Sequence, residues 1–445
     1  MVAWVRSAER GRARLGGDVA FVEDDGTDQR LREALAGADA VVNLAGESIF
    51  GRWTPARKAA LRASRVGVTD RLVAAMRTLP VPPRVLVSGS ATGYYGDRGS
   101  AVLPEEHKPG TDFLAQLCRD WEAAANAARD ICRVVTIRTS VVLARDGGAL
   151  PLMAPAFRLG LGGAIGNGRQ YLPWIHIADL VEIIVRAIED ERYDGPLNAV
   201  SPNAATAGEF ARAVGTAVRR PAALPLPAFV LRLVLGEAAD ALLFSQCAHP
   251  RALHARNFVW RFPTLAAALA DLLRPSPSVV IRRIEPGRAL APHQPAGARY
   301  VLSSRTVLES PVAETFPFFS RPENLGLLTP ASMQFVILRK PDAMAENAII
   351  DYRIRVAGVP MRWRTRILRW QHNEGFVDMQ EAGPYRLWYH EHTFRADGPH
   401  TVMDDRVYYT PPLGILGRIA HALVIRHMLL GIFHYRQDVI RLRFG

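Results

Sequence analysis

Val41-Val42-Asn43-Leu44-Ala45-Gly46 decides how the amino-terminal half of this chain is read. Two β-branched residues lead into Asn, Ala and Gly, the composition of a strand that runs into a tight turn. Small residues at the carboxyl end of a strand let backbone approach a flat ligand such as a nucleotide. A plain strand-to-loop turn would have the same composition. In a dinucleotide-binding fold such a strand is preceded by another strand, a glycine-rich loop and a helix whose first amides face a pyrophosphate. Here the chain opens Met1-Val2-Ala3-Trp4-Val5-Arg6-Ser7, and its next glycines, Gly11, Gly16 and Gly17, stand in an arginine-rich run. The expectation is a nucleotide-binding fold that begins at its second strand.

Working outward, residues 1–204 alternate short apolar runs with helical periodicity. Strands are expected at 1–5, 41–44, 84–88, 133–138 and 197–200, and helices at 55–79, 113–129 and 179–189. That order predicts an α/β fold, a Rossmann-like doubly wound parallel sheet. A glycine-rich loop is expected up to Gly168. Residues 205–273 read as a helical extension. Five prolines punctuate 274–297, which reads as a linker. From 298 to 445 the pattern becomes one strand, a short helix, six strands with two-residue alternation and a long amphipathic helix over 416–442. This predicts an α+β domain, an antiparallel sheet curled around the terminal helix with a cavity between them.

The net charge of +12 suggests nucleic acid, but no run of five basic residues occurs, so scattered arginine on the surface is the expectation. Three cysteines, Cys118, Cys132 and Cys247, show neither metal spacing nor an even framework, which points to a reducing, cytoplasmic setting. Charged residues interrupt the two longest apolar stretches, 225–244 and 413–433, so no transmembrane segment is expected. The expected partners are small molecules.

Several motifs together resemble the extended short-chain dehydrogenase/reductase fold, in its atypical epimerase-like branch. They are Asn43 to Ser48, Trp53, Lys58, Ser64-Arg65, Ser88 to Gly96, Asp112 to Ala115, Trp121-Glu122, Ile137-Arg138 and Trp174 to Asp179. The section 225–273, with Gly236-Glu237 and Pro250, is similar to that branch's own helical extension. Residues 298–445 resemble the helix-grip superfamily of polyketide cyclase-like and START-like (SRPBCC) domains, through Gly383-Pro384-Tyr385, Trp388, His390, His392, Phe394 and Pro411 to Gly414.

The first resemblance implies an NADP- or NAD-dependent oxidoreductase or epimerase. Asn43, Ala45, Gly46, Ser88 and Arg138 are the expected cofactor-edge residues. Arg6, after the first strand, would pair with a 2′-phosphate and favour NADP. Reductive chemistry needs a hydroxyl on the substrate carbonyl and a tyrosine with a lowered pKa to pass the proton. Ser90 keeps the serine position, but the helix Asp112-Phe113-Leu114-Ala115-Gln116-Leu117-Cys118 carries no Tyr-x-x-x-Lys. The acid is then missing, or is Tyr94 or Tyr95. His176, Trp363, Tyr385, Trp388, His390 and His392 are expected to line substrate or ligand cavities. His390 and His392 share one strand face, but the spacing specifies no third ligand, and no metal is expected. The second resemblance implies a hydrophobic ligand. The two absences leave an alternative, a catalytically inactive scaffold with a ligand-sensing domain.

Overall fold

The computed structural model describes residues 1–15, 19–145, 147–273, 278–285, 294–356 and 359–444. Its contacts divide the chain into two units, Val22–Arg274 and Met1–Phe21 with Pro275–Gly445.

Strands β1 (Val2–Val5) and β2 (Ala20–Glu23) pair as a two-stranded sheet of their own. Strands β3 (Ala40–Asn43), β4 (Val85–Ala91), β5 (Arg133–Thr139) and β6 (Gly195–Ala199) form a second sheet, parallel throughout, in the order β3-β4-β5-β6. Val85, Leu86 and Val87 of β4 and Val134, Val135 and Ile137 of β5 are all buried, as a parallel strand covered on both faces demands.

The helix expected at 55–79 is Pro55–Arg62 and α1 (Val68–Arg77), joined through a π-helical turn at Ala63–Gly67. Helices α2 (Phe113–Asn126) and α3 (Ile177–Glu189) follow the prediction closely. The loop expected before Gly168 instead holds a helix, Leu150–Arg158, which sends Leu150, Ala154 and Phe157 into the core. Pro151 at its first turn and glycines beyond its end hid the periodicity.

The carboxyl-terminal part is an eight-stranded antiparallel sheet. Its strands are β7 (Val279–Arg283), β8 (Tyr300–Leu308), β9 (Val336–Arg339), β10 (Ile349–Val356), β11 (Val359–Gln371), β12 (Gly375–Ala382), β13 (Leu387–Asp397) and β14 (His400–Thr410). The order is β7-β8-β14-β13-β12-β11-β10-β9. The linker reading of 274–297 is corrected over Val279–Arg283, because β7 pairs with β8 from Val279 opposite Ser304 to Arg283 opposite Tyr300; 274–277 and 286–293 lie outside the described residues. Val279 and Ile281 are buried while Arg282 is exposed, a two-residue alternation too short to register between prolines.

The terminal helix runs from Gly414–Ala420 through a π turn, His421–Ile425, into α4 (Arg426–Phe444). Leu429, Leu430 and Phe433 pack with Leu302, Val407 and Tyr409 of the sheet. By contrast Leu413, Ile415, Leu416, Ile419, Leu423 and Val424 are exposed. The segment Gly414–Arg441 is, by length and composition alone, apolar enough to cross a membrane.

Candidate functional site

The four parallel strands end on one side, and their register lines up the polar residues there. Asn43 stands opposite Ser88, Ser90 opposite Arg138, and Arg138 opposite Asn198. Ligands of open parallel sheets bind outside these carboxyl ends.

The first part of this row is the turn after β3. Asn43 is buried, and its side-chain amide donates to Thr69 Oγ1 at 2.9 Å. Its Oδ1 accepts the Ala45 N–H at 3.2 Å, which bends the chain outward. Thr69 also accepts from Trp121 Nε1 at 3.1 Å and donates to the Arg65 carbonyl at 2.7 Å. Leu44, Ala45 and Gly46 are exposed beyond this anchored residue. Arg65 lies in the π turn and donates to the Glu47 carbonyl at 2.8 Å. A Cβ on Gly46 would stand 3.0 Å from the Arg65 guanidinium carbon, so glycine is what lets the loop close on that cation. Burial depresses the Arg65 pKa, yet a guanidinium stays charged at neutral pH. Small residues, an open backbone and a neighbouring cation suit one edge of an anionic nucleotide cofactor.

The second part lies deeper. Ser90 Oγ donates to Glu122 Oε1 at 2.7 Å. Arg138 grips the same carboxylate with two nitrogens, at 2.8 and 2.9 Å, and its Nη1 donates to Tyr95 Oη at 2.9 Å and the Glu105 carbonyl at 2.8 Å. Tyr95 Oη donates to Asn198 Oδ1 at 2.7 Å. Ser90, Glu122, Arg138, Tyr95 and Asn198 are all buried. The Arg138 guanidinium carbon sits 3.6 Å from the centre of the Tyr94 ring. Burial pushes Tyr95 up to about 12 and raises Tyr94 as well, although Arg138 opposes both shifts.

This geometry revises several expectations. Arg138 spends its donors on Glu122, Tyr95 and Glu105, so it is an internal strut and not a cofactor contact. Ser88 is fully buried, with its hydroxyl on the Gly89 carbonyl at 3.3 Å. Tyr95 is raised, where proton transfer calls for a lowered tyrosine. His176 caps α3: its Nδ1 accepts the Ala178 N–H at 3.1 Å, and its ring packs 3.8 Å from that of Phe262. It therefore serves the core rather than a cavity. Arg6 is exposed after β1, in the other unit. Sequence reasoning gave no role to Thr69, Arg65, Glu122 or Asn198. Glu122 had a signal, since a carboxylate on the apolar face of a helix must find a buried partner.

In the other unit, Trp363, Tyr385, Trp388, His390 and His392 line a cavity of about 350 Å³ with mostly apolar walls, aromatic as well as aliphatic. The Trp363 indole N–H, itself buried, has no hydrogen-bond partner among the described residues. The polar end is built across three strands. Asp378 of β12 stands opposite His390 of β13, and His392 opposite Asp405 of β14. Asp405 Oδ1 lies 3.1 Å from His390 Nε2 and 2.7 Å from His392 Nδ1. Asp378 Oδ2 lies 3.1 Å from His392 Nε2 and 3.6 Å from His390 Nδ1. Burial, with His392 beside it, pushes His390 down to about 4; burial opposes but Asp405 and Asp378 lift His392.

Comparison with known proteins bears on the first unit's strand ends. Residues 1–199 match the model of the NAD dependent epimerase/dehydratase family, and residues 226–272 match a domain of unknown function, DUF1731. The human epimerase family protein SDR39U1 is 40% identical over 251 residues, 55% of this chain and 86% of that protein. The chloroplastic SDR39U1 homologue of Arabidopsis thaliana is 38% identical over 245 residues, 55% of this chain and 71% of that protein. The crystal structure of human SDR39U1 isoform 2 with NADPH superposes with a TM-score of 0.55 at 36% identity, covering 61% of this chain and 99% of that one.

Proposed function

The chain belongs to the NAD dependent epimerase/dehydratase family as one of its epimerase family proteins, and from that premise we propose that it binds NADPH at the carboxyl ends of β3 and β4 as an oxidoreductase- or epimerase-like protein acting on a small molecule. The observation that carries this reading is the anchored turn at Asn43, with Ala45 and Gly46 open beside the Arg65 cation. A relative with 36% identity was solved with NADPH, which supports the phosphorylated cofactor over NADH. When bound, the nicotinamide would supply or accept a hydride. The chain's own contribution is to present backbone at 44–46, to offer Arg65 to an anion, and to hold the sheet edge rigid through Glu122 and Arg138.

For proton transfer we assign Tyr94 ahead of Tyr95. The Tyr95 hydroxyl is committed to Asn198 and Arg138 at depth, whereas Tyr94 is half-buried against the Arg138 guanidinium. That cation partly offsets the burial that raises Tyr94, the office a lysine performs in the Tyr-x-x-x-Lys arrangement.

The test is titration of the full chain with NADPH and with NADH, followed by tryptophan fluorescence. Saturable NADPH binding, weakened when Arg65 becomes alanine, supports the reading. No saturation up to ~1 mM, the range of about −4 kcal/mol of binding free energy, overturns it. One observation favours the second reading, a catalytically silent scaffold: the hydroxyls of Ser90 and Tyr95 both face inward to protein partners.

The sheet-and-helix domain at 298–445 we read as a helix-grip ligand binder whose cavity takes an apolar molecule. Joined to the cofactor domain in one chain, it would present its ligand at an effective concentration on the order of mM, provided the connection spans the two sites.

A further inference from the structure

We propose that Asp378, His390 and His392 hold a divalent transition-metal ion of the zinc class, with an open coordination position turned into the apolar cavity. The three side chains come from adjacent strands, and one ligand atom from each lies within 4.8 Å of the others. Ligands about 2.1 Å from a tetrahedral zinc stand about 3.4 Å from one another. The separations from Asp378 Oδ2 to His392 Nε2 and His390 Nδ1, 3.1 and 3.6 Å, bracket that value.

The second argument is the far side of both rings. Asp405, an acceptor, meets His390 Nε2 at hydrogen-bond distance, so that nitrogen carries the hydrogen; the same oxygen lies 2.7 Å from His392 Nδ1, which Arg436 Nη2 also approaches at 3.4 Å. In neutral His390 the lone pair is then on Nδ1, aimed at Asp378, and an ion on His392 Nε2, the nitrogen 3.1 Å from Asp378, would leave that ring's hydrogen on Nδ1 toward Asp405. A carboxylate that fixes the tautomer and the orientation of metal-bound histidines is the usual outer support of such sites. Arg436 Nε lies 3.6 Å from the other oxygen of Asp405. With both imidazoles in the neutral form that ligates a metal, two carboxylates and one guanidinium leave the cluster with one negative charge to receive a cation.

The third argument is access. Asp378, His390, His392 and Arg436 all border the cavity, whose remaining surface is largely aliphatic and aromatic. Three protein ligands and a position open to a cavity is the pattern of a site that binds a molecule through its metal. The occupant that fits is an apolar molecule bearing a carbonyl or carboxylate oxygen, with the unpartnered Trp363 N–H as a further donor. The ion itself does not depend on the apolar-ligand reading of the cavity, and it lies outside the cofactor unit.

The experiment is titration of the EDTA-treated full chain with Co²⁺ at pH 7.5, followed by its visible absorption, then displacement by Zn²⁺. The expected result is one tetrahedral or five-coordinate Co²⁺ per chain, displaced by Zn²⁺ and abolished in Asp378→Asn, whose near-isosteric side chain retains the fold by near-ultraviolet circular dichroism. His390→Gln should also abolish the spectrum. Asp405→Asn, which touches no ion, should weaken binding ~10- to 100-fold. Absence of a Co²⁺ spectrum in the wild-type chain, or a spectrum unchanged in Asp378→Asn, overturns the proposal. Either result would leave NADPH titration, and hence the cofactor reading, unaffected.

Discussion

At the residue scale the chain's first unit turns on Glu122. One carboxylate receives two Arg138 nitrogens and the Ser90 hydroxyl, and Arg138 in turn holds Tyr95. Removing one partner of a buried ion pair leaves a charge without compensation, which costs ~3–5 kcal/mol. Glu122→Gln should therefore lower the unfolding free energy obtained from urea titration by that amount, whereas Tyr94→Phe, at a half-buried ring, should change it by less than about 1 kcal/mol. Equal losses in the two variants would mean that the network is not the strut described. Glu122 and Arg138 are both in the motifs that resemble the reductase family, but no spacing rule joins residues 16 positions apart on a helix and a strand. The same limit hid the histidine cluster. Alternation put His390 and His392 on one face, but Asp378 and Asp405 reach them only through the pairing of β12 and β14 with β13, which a single sequence does not specify.

At the element scale, strongly periodic segments were legible and short or interrupted ones were not. Helices α2 and α3 each carry a full amphipathic stripe and a capping side chain, Asp112 in the one and His176 in the other. Strand β7 and the helix Leu150–Arg158 are brief and lie beside prolines, so their stabilisation comes from neighbours rather than from propensity. The docking of the terminal helix adds a pH dependence. His421, in its π turn, is buried; its Nε2 is 2.7 Å from Tyr409 Oη, and its ring stacks 3.8 Å from that of Tyr300. Burial first, then Arg426 and His427, push its pKa down to about 4 from 6.5. Above pH 6.5 the ring is neutral in both the folded and unfolded chain. Between 6.5 and 4 the unfolded chain takes up the proton first, so stability falls as pH falls through that window. His421→Gln should flatten this slope, by on the order of 2 kcal/mol at pH 4 relative to pH 7, in urea unfolding measured across the range. A slope unchanged by the substitution would show that other groups set it.

At the scale of the whole molecule, the candidate nucleotide edge falls in the unit Val22–Arg274, while the cavity and its histidines fall in the other. Two binding activities in separate units should be separable by substitution. Met361→Trp fills part of the cavity wall, so it should abolish enhancement of an apolar naphthalene-sulfonate probe while leaving the NADPH titration within twofold of the parent chain. A parallel loss of both would show that the two units do not act independently. The change of fold class near residue 298 was legible because periodicity switched from helix-and-strand alternation to antiparallel pairs; the curvature that opens a cavity depends on bulges such as those in β11, which leave no mark in the pattern. The terminal helix carries a further consequence. Its second half is sheltered by the sheet, but six aliphatic side chains at and before its π turn meet water directly. Each forgoes roughly 1.5–3 kcal/mol of burial that a greasy neighbour would restore. In a crowded or lipid-rich milieu that end will be a sticky part of the surface, and how the chain is purified and stored will depend on it as well as on its surplus of arginine.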